Sequence, residues 1–305
     1  MLYLIHSGTM GDLNNATATG YLLGLGAAVT YGTITTFGKF STNSADPLLV
    51  TSLAYIIGGL ILFTYRPSSF IERKNMPLLI LTSLLGGAIA PALFIKGLAI
   101  TTASDAALLG NAEVLFTALI AVIAFRERMS KKQYLAGLLV VAGILIVSTN
   151  LELAGRTFLA HFEGNVMVIA GTAVWGLDNN VSKIASIRMD PTVLSRYKNL
   201  VGGAVLLFVR EFIHPVHLSG ESIPYIILLG IVSVGFSTLF LMHSLRRIGA
   251  IRAVLVFSAA SVFGLIFALL FLGETISVIQ LVGSALIFSG LYLVQKNERV
   301  ENLHS

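Results

Sequence analysis

The strongest constraint on this chain is that it contains one stretch twice. Residues 171–203, GTAVWGLDNNVSKIASIRMDPTVLSRYKNLVGG, align without a gap on 27–59, AAVTYGTITTFGKFSTNSADPLLVTSLAYIIGG, at an offset of 144. Gly176, Lys183, Asp190, Pro191, Gly202 and Gly203 fall on Gly32, Lys39, Asp46, Pro47, Gly58 and Gly59, and Arg210 falls on Arg66. Further along the offset becomes 147, which sets Pro77, Leu98, Phe116, Glu127, Ser130, Gln133 and Gly143 over Pro224, Leu245, Phe263, Glu274, Ser277, Gln280 and Gly290. Small apolar residues match by chance in apolar sequence. Two gap-free registers that include Lys, Asp-Pro, Glu and Gln do not.

What the copies are made of follows from charge. Only 11% of residues are charged, 55% are hydrophobic and the mean hydropathy is +0.86. Soluble domains carry about 25% charged residues, so the chain is read as an all-α integral membrane protein. A helical span needs about 20 mainly apolar residues, and ten segments qualify: 18–40, 47–65, 76–96, 101–125, 132–149, 163–183, 190–209, 223–245, 249–272 and 277–295. Each copy then holds five transmembrane helices. An odd number forces the second copy to enter from the opposite face, which makes an inverted repeat. The expected organisation is a terminal segment 1–17, a first repeat 18–149, a linker 150–162, a second repeat 163–295 and a tail 296–305.

Cytoplasmic loops collect Lys and Arg. Lys39, Lys96, Arg156 and Arg210 fall on one side, and most other basic residues fall on the side that holds both termini. Both termini are therefore expected in the cytoplasm of a prokaryotic cell, with the protein in its plasma membrane. The net charge of +5 needs no nucleic-acid partner once it is sorted this way. No basic cluster precedes an apolar core in the first fifteen residues, so no cleavable signal is expected, and Met10 is a possible start. The chain has no cysteine, which excludes disulfides and thiolate metal sites.

Two five-helix copies, each ending in a Glu followed by an apolar helix (AFRERMSKKQYLAGLLVVAG and LFLGETISVIQLVGSALIFSG), resemble the EamA-type members of the drug/metabolite transporter superfamily. The resemblance spans about residues 18–295. It implies a transporter fold and, among substrates, export of amino acids or similar metabolites. Family members commonly carry a proline early in the fourth and ninth helices. Here Glu113 and Ala260 stand there, so a proline-driven helix break is not expected.

The same registers expose where the copies differ. Asp178, Asn179, Asn180, Arg196, Lys198 and Asn199 lie over Ile34, Thr35, Thr36, Ser52, Ala54 and Tyr55. A charge at mid-bilayer costs several kcal/mol and usually faces a cavity or a partner. Glu113 sits roughly 18 Å from either end of the fourth span at 1.5 Å per residue. Asn111 is close in sequence, but two residues along a helix points away from Glu113. Asp178, Arg196 and Lys198 lie at similar depths on consecutive helices, so Asp178 can pair with Lys198 or Arg196. Trp175 and Ser182 share the face of Asp178, although packing or interface anchoring accounts for Trp175 by itself. Three asparagines with opposite charges exceed what packing requires, and the group reads as a cavity lining. Glu113 and Asp178 are the candidates for proton coupling, against the plainer reading of a structural ion pair or a buried protonated acid.

Simple roles are expected elsewhere. Lys39 and Lys183 are placed to snorkel to headgroups. Glu127 and Glu274, at helix ends beside turns, suit capping or gate-closing contacts. His243 suits an interface hydrogen bond. HExxH, GxSxG and GxxxxGK[ST] are all missing, so neither catalysis nor direct use of ATP is expected, and no cofactor or metal. The sequence points to a secondary transporter that binds a small-molecule substrate, is surrounded by membrane lipid, and works by rocking of the repeats around a central cavity. Its rivals are a lipid-linked carrier or flippase, which needs a lateral apolar opening, and a non-transporting scaffold, which would leave the polar cluster dry and paired. The topology is tested by labelling intact cells. A tag on either terminus should be inaccessible from outside, and Arg156→Cys should react with an impermeant thiol reagent; outside labelling of a terminal tag would reverse the orientation.

Overall fold

A computed structural model describes residues 10–65, 71–125, 131–149, 156–212 and 217–301. These residues are helical nearly throughout, and the extended pairing among them is a single bridge between Ala45 and Leu218. In the first copy, α1 runs Met10–Thr42, α2 Pro47–Ile61, α3 Met76–Leu84, α4 Ala90–Ile100, α5 Ala103–Leu109, α6 Ala112–Phe125 and α7 Lys131–Thr149. In the second, α8 runs Arg156–Arg188, α9 Pro191–Glu211, α10 Ile223–Leu228, α11 Ser237–Ile248, α12 Ala250–Phe257, α13 Ala260–Phe267 and α14 Val278–Glu301. Among the described residues, four helical stretches are long and apolar enough to cross a membrane: Pro47–Thr64, Arg73–Ile100, Ala103–Ala124 and Gly220–Ile248. The long helices α8 and α9 fall outside that set because they carry the polar residues that distinguish the second copy.

The duplication is visible in local structure. Asp46 and Asp190 are N-caps of α2 and α9, at φ −60°, ψ 130° and φ −61°, ψ 126°. The Asp46 carboxylate accepts from Leu49 N at 2.9 Å, and that of Asp190 accepts from Thr192 N and Val193 N at 2.8 and 3.2 Å. The proline that follows each cap loses no helical hydrogen bond, since the first N–H groups of a helix have no intrahelical partner. The connections α3–α4 and α10–α11 both pass through π-helical turns, Leu85–Ile89 and Leu229–Phe236.

Contacts between the copies come in matched pairs. A side chain on Gly59 would meet Arg196 O at 2.9 Å and the Leu200 side chain, whereas one on Gly203 would meet Ser52 O and Ile56 N, both at 2.8 Å. Adding 144 to the glycine and subtracting it from its partner turns one contact into the other. Likewise Gly176 packs on Phe116 and Thr117 while Gly32 packs on Phe263 and Gly264. Such reciprocity is what a two-fold relation produces. The copies are nonetheless not side by side. α8 packs on α4 and α6 of the first copy, and α1 packs on α11 and α13 of the second. α2 lies against α9, and α7 against α14. The leading helix of each copy is thus exchanged into the other's bundle, so the sequence repeats are not themselves the packed units.

No proline breaks the chain at Glu113 or Ala260, yet the spans 101–125 and 249–272 are not single helices. The rod α5–α6 breaks at Gly110 and Asn111, and α12–α13 breaks at Ser258 and Ala259, without proline. Tighter i→i−3 bonds replace the helical ones: Asn111 N to Leu108 O at 3.2 Å and Glu113 N to Gly110 O at 3.1 Å, with Ala259 N to Val256 O and Ser261 N to Ser258 O at 3.1 and 3.2 Å. Side chains take up remaining carbonyl groups. The Asn111 amide donates to Leu108 O at 3.0 Å, and the Ser261 hydroxyl donates to Ser258 O at 2.8 Å.

The ends of the rods also correct the reading of Lys39. Its ammonium caps the C-terminal end of α4, donating to Leu98 O at 3.0 Å and Thr101 O at 2.5 Å, because unpaired carbonyls at a helix end favour a cation. Glu274 caps the other side of the same junction, accepting from Ala103 N and Ser104 N at 2.9 and 2.8 Å. Glu127 and Arg66 lie outside the described residues. Because the α2–α9 crossing relies on matched glycines, Gly59→Ala and Gly203→Ala should each lower stability by about 1–3 kcal/mol, and by similar amounts. Thermal unfolding of the purified variants measures this; full tolerance at either position would disprove the close crossing.

Candidate functional site

The polar residues that break the repeat gather where α8, α9 and the α3–α4 rod meet. Asp178 is 1% exposed and Lys198 4%, and their carboxylate and ammonium are paired directly. Ser182, one turn on from Asp178, donates to Asp178 Oδ1 at 3.1 Å and accepts from Lys198 Nζ at 3.3 Å. The pair needs the π turn beside it. A side chain on Gly86 would collide with both the Asp178 carboxylate and the Lys198 ammonium, so only glycine lets α3–α4 lie against them. The carbonyl of Gly86 in turn accepts from Trp175 Nε1 at 3.3 Å.

Glu113 is buried on the other side of α8. Asn179 Nδ2 donates to Glu113 Oε1 at 2.6 Å and contacts Thr117 Oγ1 at 3.3 Å. Asn180 Nδ2 donates to Thr117 O at 3.0 Å and Gly176 O at 2.9 Å, tying α6 to α8. The pairing of Asp178 is therefore with Lys198 and not with Arg196. Arg196 faces away: its guanidinium donates to Leu62 O and Tyr65 O at 2.8 and 2.7 Å and lies over the Phe63 ring, 4.2 Å from the centroid. Asn199 is fully buried, and its amide has no hydrogen-bond partner among the described residues.

Two cavities flank Glu113. The first, a water-sized cavity of about 30 Å³, lies between α1, α5–α6 and α12–α13, and most of its wall is apolar, including Ile34, Phe94, Val114, Val254 and Phe257. Its polar end carries Asn111, Ser258 and Ser261, and Ser261 Oγ lies 3.2 Å from Asn111 Oδ1. The helix break is what turns Asn111 onto the same cavity as Glu113, against the expectation from an unbroken helix. Thr35 also lines this cavity, with a buried hydroxyl that has no partner among the described residues. The second cavity, of about 40 Å³, is lined by Tyr55, Trp175, Asp178, Asn179 and Lys198, with Leu241 and Met242 of α11. Tyr31, Glu113 and Phe257 belong to both walls. Tyr31 also joins the aromatic residues, with ring centroids 5.9 Å from Trp175, 6.4 Å from Phe94 and 4.8 Å from Phe257.

Of the residues singled out from sequence, Asn111, Glu113, Trp175, Asp178, Asn179 and Lys198 are brought to this pair of cavities; Asn180, Arg196 and Asn199 are not on their walls. Sequence reading missed Tyr31, Phe94 and Phe257. For Tyr31 a signal existed, since the 144 offset sets it over Trp175. His243 is a local hydrogen-bonding residue, 3.1 Å from Arg247 and 3.3 Å from Thr192.

An all-helical, apolar, internally duplicated bundle with buried charge around internal cavities is that of a membrane protein, and comparison with known proteins gives the family. The model of the EamA-like transporter family matches residues 18–149 and again 162–295. The chain belongs to that family, within the drug/metabolite transporter superfamily, and is an integral membrane transporter. It is 31% identical over 296 residues to an uncharacterized transporter of Methanothermobacter thermautotrophicus, covering 91% of this chain and 86% of that one. It is 27% identical over 262 residues to the uncharacterized transporter YyaM of Bacillus subtilis, covering 84% and 85%. A crystal structure 19% identical in sequence superposes with a TM-score of 0.68 over 94% of this chain and 99% of the other, and shows the fold alone.

Burial makes the ion pair testable. Removing one partner of a buried pair strands the other charge, at about 3–5 kcal/mol. Asp178→Asn and Lys198→Met should each be destabilised by about that amount, and the double variant should recover most of the loss. Thermal unfolding of the three variants measures it; additive losses would show that the two groups are not coupled.

Proposed function

We propose that this chain is a secondary active transporter of small organic metabolites that works by alternating access. The observation that carries this reading is the pair of cavities meeting at Glu113 between helices of both copies. A scaffold would leave all these polar groups paired, whereas Glu113 makes no ion pair among the described residues. Ten spans in two inverted five-helix repeats, with both termini in the cytoplasm, complete the proposal. The apolar and polar cavities suit a substrate with one greasy and one polar end, such as an amino acid. Export is the direction that the family resemblance favours.

The units that move are the exchanged bundles rather than the sequence copies: α3–α6 with α8, and α10–α13 with α1. Each breaks one rod at the cavity and runs another through a π turn, and π-helical turns and helix breaks occur often at functional sites and hinges. Glu113 is the proposed proton carrier. Ala260 at the matching place shows that the scaffold needs no acid there.

Reconstituted vesicles test this. Glu113→Gln keeps the shape of a protonated acid, so the variant should fold and insert. Transport driven by a pH gradient should fall to background, while substrate exchange without net proton movement persists. Full gradient-driven transport by the variant would remove Glu113 from the coupling step. If instead Glu113→Gln unfolds and Lys198→Met restores it, Glu113 is a structural counter-ion.

A further inference from the structure

We propose that Lys39 and Glu274 are a latch that closes the first cavity on the face opposite the termini, and that the cavity opens to that face only when they let go. α1 ends at this face and α14 begins there, so it is the extracytoplasmic face of the proposed topology. This rests on the proposed alternating access and names the contact that holds one of its two sides shut.

The latch is built on the link between α4 and α5. α4 ends at Ile100 and α5 begins at Ala103, with Thr101 and Thr102 extended between them. Such a link leaves carbonyls free on one side and N–H groups free on the other. A cation suits the first and an anion the second, and both come from elsewhere in the chain. Lys39 Nζ donates to Leu98 O and Thr101 O at 3.0 and 2.5 Å. The Glu274 carboxylate accepts from Ala103 N at 2.9 Å, Ser104 N at 2.8 Å and Ser104 Oγ at 2.6 Å. Glu274 reaches the link because Gly273 turns the chain at φ 65°. A Cβ on Gly273 would meet nothing within 4 Å, so what the glycine supplies is the left-handed conformation. Glu274 N then donates back to Ala268 O at 3.4 Å, the i→i−6 bond of a Schellman end.

These bonds join parts that otherwise belong to different bundles. α4 and α5 lie in the bundle completed by α8, whereas Lys39 is on α1 and Glu274 follows the rod that continues α13, both in the other bundle. Each contact therefore crosses between the two units proposed to move. The neighbouring bond from Thr101 Oγ1 to Asn165 Oδ1, at 2.5 Å, joins α4 to α8 within one unit and does not resist their separation. Gln280 of α14 adds a bond from Nε2 to Asp105 Oδ1 at 2.6 Å. The first cavity lies directly beneath. Thr35 is four residues from Lys39 on α1, Ala107 is three from Ser104 on α5, and both line the cavity. Such steps keep to one face of a helix, so parting the units at the latch is the short way in.

The matching link on the other face is closed differently. Gly249, at φ 81°, ends α11 with its own backbone, donating from N to Leu245 O at 3.0 Å. Lys183, which the 144 register sets over Lys39, donates to no carbonyl of α11 among the described residues. The repeat can thus end this helix without a lysine from the other bundle. Lys39 is an addition on one face, as a contact that must hold there and release requires.

The chain has no cysteine, so one introduced thiol reports alone. Thr35→Cys places it in the cavity, at a buried hydroxyl that has no partner among the described residues. The full chain carries a terminal tag that gives its orientation, and the rate of reaction with an impermeant thiol reagent is measured from each face, in intact cells and in inverted vesicles. Glu274→Gln turns a donor onto an N–H group, and Lys39→Met removes the cation. Each should speed labelling from the face opposite the termini about tenfold and slow it from the other face. Ser104→Ala removes one bond and leaves both charges, so it should give about threefold, and it keeps the test decisive if a charge-removing variant fails to fold. Thr101→Val cuts only the bond within one unit and should change neither rate. Unchanged rates in the folded variants, rates that rise equally from both faces as in a loosened fold, or a Thr101→Val effect as large as that of Glu274→Gln would overturn the inference. Opening of this face by the variants, in a protein whose unaltered form carries nothing across vesicles, would sustain the latch and defeat the transport reading. Transport that continues while the variants leave the sidedness of labelling unaltered would do the reverse.

Discussion

The crossing of α2 and α9 is the contact on which the rest of the architecture depends. In a bilayer there is little hydrophobic force between helices, so association relies on backbones approaching closely enough to pack. Gly59 against Arg196 O and Gly203 against Ser52 O give that approach twice, once from each copy. Because α9 is held at this distance, Lys198 lies over the π turn at Gly86, where Asp178 can reach it. The ion pair is thus set by backbone packing along α9 itself. It is not the force that brings the helices together, since a buried pair barely offsets the cost of desolvating its members.

Duplication supplies a symmetric frame, and the interior breaks that symmetry. The frame is symmetric in caps, π turns, helix breaks and glycine contacts. The interior is not: Asp178, Asn179 and Lys198 occupy positions where the first copy has Ile34, Thr35 and Ala54, and Glu113 stands opposite Ala260. Two helix breaks meet through the Ser261–Asn111 hydrogen bond, yet only one carries an acid. A cavity between equivalent elements therefore has chemically different walls.

Much of this was legible in the sequence, and what was not has identifiable reasons. The repeat register depends on spacing, and spacing is in the sequence; the capping role read for Glu274 rests on its place at a helix end. The break at Gly110–Asn111 was hidden because a proline was expected to cause it, whereas here Asn111 and Ser261 satisfy the freed backbone. Lys39 was assigned to headgroups because its partner, the end of α4, lies 59 residues away. Arg196 reads like a cavity residue from depth alone, and only the neighbouring Leu62 and Tyr65 carbonyls show otherwise. The exchange of α1 and α8 is a matter of tertiary packing, which no periodicity encodes.

That exchange has a consequence for how the protein is made. α1 leaves the ribosome first, but the helices it packs against, α11 and α13, are among the last to be synthesised. The first copy also stays incomplete until α8 arrives to cover α4 and α6. Chains whose contacts are distant in sequence close late and expose unpaired surfaces in the interval. In the membrane, the unpaired surface of α1 includes Tyr31, Thr33 and Thr35. The nascent chain must hold these semi-polar faces in lipid, or against a chaperoning partner, until the second copy has been inserted.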